Sequence, residues 1–329
     1  MIDTIYLEVG AKEYPKAKEI VARYPRAKVI SCNHYKEIFN PSAQSFRLQK
    51  RKPALILARQ SGKLVHPIPP SYGVGGINNY YFSHLLNCLY DCRYCFLQGM
   101  YPSAHYVLFV NFEDFEDEIQ KVTKINTEPS WFFSGYDCDS LGLESVTGFA
   151  EHFLSFFENL PDAWVELRTK SLATQVLHKM KPLSNVVVAF SFTPEEINQQ
   201  IEHGVPPVSS RIRAMSKLAE QGWKLGLRID PLIECHNFEL RYSKLFQSIF
   251  ETLDEKSIHS VSLGAFRMPQ RFFKKIEKHY PEEPLLAGNF QSKRGNIGYQ
   301  EEVEENLKGT CLQSLLNWID PAKIFTCDL

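Results

Sequence analysis

Short runs of apolar, β-branched and aromatic residues recur at positions 106–110, 131–134, 163–167, 185–192, 224–229 and 257–266, each bounded by turn-forming residues. Runs of this length and composition predict buried strands. Between them, residues 112–123, 144–159, 172–180, 209–221 and 239–253 carry apolar positions at helical spacing and predict amphipathic helices. Six strand-then-helix units in series predict a parallel sheet, because a parallel neighbour is reached only through a crossover connection. A doubly wound sheet and a full or partial barrel both satisfy that order.

Three regions follow. Residues 1–75 hold an amphipathic segment (12–24), an apolar run at 27–31 and another at 54–58, the last preceded by Arg47, Lys50, Arg51 and Lys52; they predict a small lead-in unit. The stretch HPIPPSYGVGG at 66–76 marks where the main α/β domain, 76–268, begins. Its GVGGIN lacks the strand–helix context of a phosphate loop and is expected to be a turn. Residues 269–329 predict a helix around Arg271, Phe272, Phe273, Lys274 and Lys275, a basic turn at 291–298, a final helix near 301–318 and a last strand at 324–329.

Composition narrows the function classes. With 44% apolar and 23% charged residues in 329, one barrel-sized core with appendages is expected rather than disorder. A net charge of -1 excludes a general electrostatic trap for nucleic acid, so any DNA surface must be a local patch. No basic-then-apolar leader and no membrane-length apolar run is visible, so a cytoplasmic protein with reduced cysteines is expected.

Candidate chemistry centres on Cys88, Cys92 and Cys95, a C-x3-C-x2-C run in NCLYDCRYCFLQG. Three thiols this close can hold three corners of a [4Fe–4S] cluster, leaving the fourth iron open to the amino and carboxylate groups of S-adenosylmethionine. Tyr94 is expected to pack against that cofactor. Zinc would need a fourth ligand such as His84 or Cys138, and a second C-x2-C knuckle is absent. A thioredoxin-type pair leaves Cys88 unexplained. Cys32, Cys138, Cys235, Cys311 and Cys327 are scattered, and such cysteines are mostly small buried hydrophobes.

Several segments together resemble one family: AKVISCNHYKEIFNP with FRLQKRKPALILA, the cluster CLYDCRYCFLQG, FFSGYDCDSLG, ELRTKS, the long block VVAFSFTPEEINQQIEHGVPPVSSRIRAMSKLAEQGWKLGLRIDPLI, and KRGNIGY. In this order the chain resembles the spore photoproduct lyases, radical S-adenosylmethionine enzymes of DNA repair. The resemblance implies a partial (β/α)6 TIM-type barrel with a small N-terminal α/β lead-in and a C-terminal helix and hairpin extension. It implies cluster ligands at Cys88, Cys92 and Cys95, cofactor contacts at Ser140, Lys170 and Ser191, and a catalytic hydrogen-atom donor at Cys138, with Tyr94 in the catalytic set.

The implied reaction is that of a carbon–carbon lyase. A 5′-deoxyadenosyl radical opens the thymine photoproduct 5-thyminyl-5,6-dihydrothymine, and Cys138 returns a hydrogen atom as two thymines are restored. Implied partners are UV-damaged DNA and an electron donor such as flavodoxin or ferredoxin, with no membrane. One position departs from the family pattern, which has tyrosines on both sides of the third cysteine: Phe96 stands in place of the second and has no O–H to relay hydrogen. Tyr80, Tyr81 and Tyr136 are candidates to replace it. Phe96 also keeps open a related reaction on another substrate; a non-catalytic iron–sulfur or zinc protein is the reading from a different class. For DNA, Lys293 and Arg294 are expected in a hairpin wedge, with Arg267, Arg271, Lys274 and Lys275 meeting phosphates.

Overall fold

Every residue of the strand Val186–Ser191 is buried, as a strand covered on both faces requires. In the computed structural model, which describes residues 2–69 and 72–327, this strand lies within an eight-stranded sheet. The order is Val65–Pro67, Asn78–Phe82, Ser130–Phe133, Ala163–Thr169, Val186–Ser191, Lys224–Leu232, Ile258–Ala265, Ile324–Thr326. Val65–Pro67 is antiparallel to its neighbour, and all other pairings are parallel. Pro70 and Ser71 of the stretch expected to open the barrel lie outside the described residues. So do Asp328 and Leu329 of the expected last strand, whose remainder is present as Ile324–Thr326.

The sheet is curled. Trp131 and His259 belong to strands four spacings apart, a separation of roughly 19 Å in a flat sheet, yet their ring centroids are 5.2 Å apart across the inner face. The result is the expected partial barrel, with helices Phe149–Glu158, Val208–Gln221 and Phe238–Phe250 among those covering its outer face. The helix expected over residues 144–159 is broken into Glu144–Thr147 and Phe149–Glu158, because Gly148 between them takes a left-handed conformation, φ 58°.

The first barrel strand differs from expectation. The run at 106–110 forms Tyr106–Phe109, which pairs with Leu55–Ala58 in a separate five-stranded sheet ordered Lys28–Cys32, Thr4–Glu8, Leu55–Ala58, Tyr106–Phe109, Leu85–Leu86. The barrel instead opens with Asn78–Phe82, whose sequence NNYYF hides it: only Phe82 is buried, and the rest is half-exposed. Six strands with crossovers therefore remain, and the cysteine loop falls directly after the first.

Candidate active site

The carboxyl ends of the parallel strands define one mouth of the barrel, and three connections there bring the candidate residues together. The first carries the cysteines. Cys92 is buried and Cys88 and Cys95 are partly so, and all three thiols are unpaired. The two-residue strand Asp91–Cys92 pairs antiparallel with Glu202–His203, and the Arg93 amide donates to the Ile201 carbonyl at 2.9 Å. The segment after Val186–Ser191 thus clips the cysteine loop in place. From the other side, the Tyr280 hydroxyl donates to Asp91 Oδ1 at 3.1 Å, and the Arg93 guanidinium lies 3.7 Å from the centre of the Tyr280 ring.

These thiols suit a cluster better than a single ion. Among the described residues, no three His, Cys, Asp or Glu side chains converge to hold one metal ion. His84, the possible zinc ligand, instead stacks on Phe149 with centroids 3.5 Å apart. Burial pushes the Cys88 thiol up to about 12 and raises Cys92 and Cys95 as well, so three thiolates there require positive charge of the kind an iron cluster brings. The Tyr90 amide also donates to Cys88 Sγ at 3.4 Å, a contact of the type that tunes cluster sulfurs.

The second connection follows Ser130–Phe133. Cys138 is buried, its Sγ 3.7 Å from the Ser134 carbonyl, and burial raises its pKa well above the ordinary thiol value. Ser140 Oγ shares a 2.9 Å hydrogen bond with Ser134 Oγ, and the Ser140 amide donates to the Arg168 carbonyl at 2.9 Å. Gly135 permits this approach: a Cβ there would stand 2.9 Å from both Arg168 Cβ and Ser140 Oγ. Asp139 locks the loop to the third connection, at the end of Ala163–Thr169. Its Oδ1 accepts from the Thr169 hydroxyl at 2.6 Å and its Oδ2 from the Lys170 amide at 2.6 Å.

Lys170 reaches into a buried ionic cluster. Its Nζ donates to Glu202 Oε1 at 3.0 Å, and the Tyr94 hydroxyl bonds the same oxygen. Glu202 Oε2 accepts from Asn198 at 2.9 Å and from Arg211 Nη2 at 3.2 Å. Arg211 also donates through Nη1 to the Ser191 carbonyl. Burial by itself would raise the Glu202 carboxyl, but Lys170 and Arg211 outweigh it and hold the pKa at about 2. Burial and the Glu202 charge together keep Tyr94 a phenol.

Glu202 therefore ties the cysteine loop, Lys170 and the strand of Ser191 into one unit, yet nothing in the sequence singles it out. Asp139 and Tyr101 likewise carry no signal in the sequence. The Tyr101 hydroxyl donates to Asp137 Oδ1 at 3.0 Å, on the residue that precedes Cys138.

Around Phe96 the three tyrosines separate. The Tyr136 ring lies 5.8 Å from the Phe96 ring and stacks on Tyr81 at 4.4 Å. Tyr80 instead stacks on Phe132, and its hydroxyl accepts from Asn126.

The basic residues divide as well. Lys293 and Arg294 are exposed at the turn joining Phe290–Lys293 to Asn296–Tyr299, where Arg294 and Gly295 both have positive φ. Arg271, Lys274 and Lys275 are exposed on the helix Gln270–His279. Arg267 corrects the expected phosphate contact. Its guanidinium is buried and donates to Asp230 Oδ1 at 3.0 Å and to the Ala265 carbonyl at 2.7 Å, so it braces the barrel rather than meeting solvent. Lys293 is partly offset by Glu301, 3.7 Å away at the start of the helix Glu301–Leu315.

Comparison with known proteins agrees with this geometry. A family model described as spore photoproduct lyase matches residues 1–324. The chain is 24% identical to the spore photoproduct lyase of Bacillus subtilis, over 96% of this chain and 94% of that protein. It is 22% identical to that of a Geobacillus species, over 97% and 96%. A solved mutant spore photoproduct lyase, with bound AdoMet and dinucleoside spore photoproduct, superposes with a TM-score of 0.87 at 19% identity, covering 100% of this chain and 99% of that one. A match along nearly the whole length, on a barrel whose mouth gathers the expected cysteines, assigns this chain to the spore photoproduct lyase family.

Proposed function

We propose that this chain is a radical S-adenosylmethionine carbon–carbon lyase that reverses 5-thyminyl-5,6-dihydrothymine in UV-damaged DNA to two thymines. The observation that carries the reading is the union, at one barrel mouth, of three unpaired thiols, Lys170 and the buried Cys138. Cys88, Cys92 and Cys95 would hold a [4Fe–4S] cluster; Ser140, Lys170 and Ser191 would hold S-adenosylmethionine. Bound together and reduced, these groups supply a 5′-deoxyadenosyl radical able to take hydrogen from carbon.

The chain's own residues then direct the outcome. Lys170 has a partner in Glu202, but the Lys170, Arg211 and Glu202 group retains one net positive charge, which suits the cofactor's carboxylate. Burial keeps Cys138 a thiol, the form that donates a hydrogen atom to a substrate carbon radical, closing a C–H bond as its S–H bond breaks. The walls of the half-barrel exclude water from that radical. With Phe96 lacking a hydroxyl, we assign the restoring of the thiol to Tyr136, whose ring lies 5.8 Å from that of Phe96: its O–H bond would break as the S–H bond re-forms, and the tyrosyl radical left would take a hydrogen atom back from 5′-deoxyadenosine.

The electron enters from a low-potential donor such as flavodoxin or ferredoxin. No helix among the described residues is long and apolar enough to cross a membrane, and we place the protein in the cytoplasm with its DNA. Lys293 and Arg294, with Arg271, are the residues we assign to the DNA backbone.

The deciding experiment incubates the anaerobically reconstituted, dithionite-reduced protein and S-adenosylmethionine with an oligonucleotide carrying the photoproduct. Restored thymine with 5′-deoxyadenosine is expected. Cofactor cleavage without restored thymine would favour the second reading, to which Phe96 points: a family member with another substrate.

A further inference from the structure

The inner wall of the barrel carries a charged group that the cofactor contacts do not use. Glu166 and Arg168 stand two residues apart on Ala163–Thr169 and so share the inward face. Glu166 is fully buried, and its carboxylate is saturated: Oε2 accepts from Arg228 Nη2 at 2.6 Å, and Oε1 accepts from Arg228 Nε at 3.1 Å and Arg168 Nε at 2.9 Å. Arg228 is saturated too, giving its remaining N–H groups to the Leu227 carbonyl, the Ser260 carbonyl and Ser260 Oγ.

Arg168 differs. It is anchored only through Nε, its two terminal nitrogens have no hydrogen-bond partner among the described residues, and its side chain is 32% exposed, open to the lumen. Among the described residues, two arginines against one glutamate leave a surplus positive charge. The neighbouring Asp230 cannot offset it fully, because Asp230 is itself paired with Arg267 at 3.0 Å. An aimed guanidinium fork with spare charge, in a confined space, recognises an oxyanion. Its place is equally specific: the Arg168 carbonyl accepts from the Ser140 amide, and Gly135 lies against its Cβ, so the fork sits beneath the loop that carries Cys138.

We propose that Arg168 is an anion-binding residue of the barrel lumen and takes the phosphodiester that links the two thymidines of the substrate. The assignment rests on the photoproduct-lyase reading above. The phosphodiester is the one formal negative charge such a substrate brings between its joined bases, and gripping it would set the methylene bridge in register with Cys138.

The test compares two ligands that differ only in that group: the photoproduct dinucleotide, with its phosphodiester, and the photoproduct dinucleoside, without it. Binding to the reconstituted protein with S-adenosylmethionine is measured anaerobically and without reductant, so that no turnover occurs. A charge-assisted contact should make the dinucleotide bind about 10- to 100-fold more tightly. Arg168→Gln should bring the two ligands to within about twofold while leaving dinucleoside affinity unchanged, and Arg168→Lys should keep part of the preference. Because Glu166 keeps Arg228 in these variants, the barrel should fold, which thermal unfolding checks. Absence of any preference in the wild-type protein, or an equal loss for both ligands in Arg168→Gln, overturns the assignment. A wild-type protein that binds neither ligand overturns the photoproduct reading, and this assignment with it.

Discussion

Lys170 Nζ lies 3.0 Å from Glu202 Oε1, joining the end of one barrel strand to the segment that clips the cysteine loop. Glu202 is wholly buried, and so is its second partner, Arg211. Removing one member of such a cluster leaves the others uncompensated in a low-dielectric site, which costs about 3–5 kcal/mol. Glu202→Gln is therefore expected to lower the melting temperature and to weaken S-adenosylmethionine binding at least tenfold. Tyr94→Phe, which removes one hydrogen bond to the carboxylate and no charge, should cost less, about 1.5–3 kcal/mol. Melting curves and cofactor titrations of the two variants check this; equal effects would show that the charge of Glu202 is not what matters.

Cys138 is expected to govern the fate of the product and not the making of the radical. Cys138→Ala should cleave S-adenosylmethionine at a rate near that of the wild-type protein, while restored thymine falls and diverted adducts accumulate. Chromatography of the products checks this, and an unaltered product distribution would remove Cys138 from its donor role.

His84 should make the fold acid-sensitive. Burial holds its pKa down to about 3, with its ring stacked on Phe149 and Nδ1 without a hydrogen-bond partner among the described residues. In the unfolded chain it titrates near 6.5, so below that pH unfolding takes up a proton that the folded state refuses. Stability is therefore fully present above about pH 6.5 and falls by about 1 kcal/mol per pH unit as the pH drops towards 3. Denaturant unfolding between pH 7 and 5 should show this slope in the wild-type protein and a shallower one in His84→Phe.

The exposed hairpin tip should act on DNA affinity alone. Lys293→Gln with Arg294→Gln is expected to weaken binding to damaged duplex uniformly across sequences and to flatten the salt dependence by up to about two phosphate contacts. Turnover of the photoproduct dinucleotide, which offers the hairpin no duplex, should be unchanged. Arg267→Gln, in contrast, should destabilise the fold through its lost pair with Asp230.

Much of the architecture was legible in the chain because strands and helices of a parallel barrel announce themselves locally. Strands buried on both faces, such as Val186–Ser191, are continuous apolar runs, and their helices carry a helical period. Asn78–Phe82 is hidden in the sequence because four of its five residues are only half-buried and it lacks an apolar run, and Tyr106–Phe109 joins the other sheet because apolar runs do not say which neighbour they pair with.

The same division holds for the site. The sequence by itself determined the chemistry on offer: three clustered thiols, a further cysteine in a DCD turn, and a lysine closing a strand, all carried by residue type and short spacing. Only the tertiary structure decided how those groups are held and charged. Glu202 lies 32 residues beyond Lys170 and 108 beyond Tyr94, and Arg228 lies 62 beyond Glu166. Ionic partners so far apart in the chain meet only when the sheet curls, so whether Arg267 is a brace and Arg168 an open fork is a property of the closed wall, where burial decides which charges must be paired.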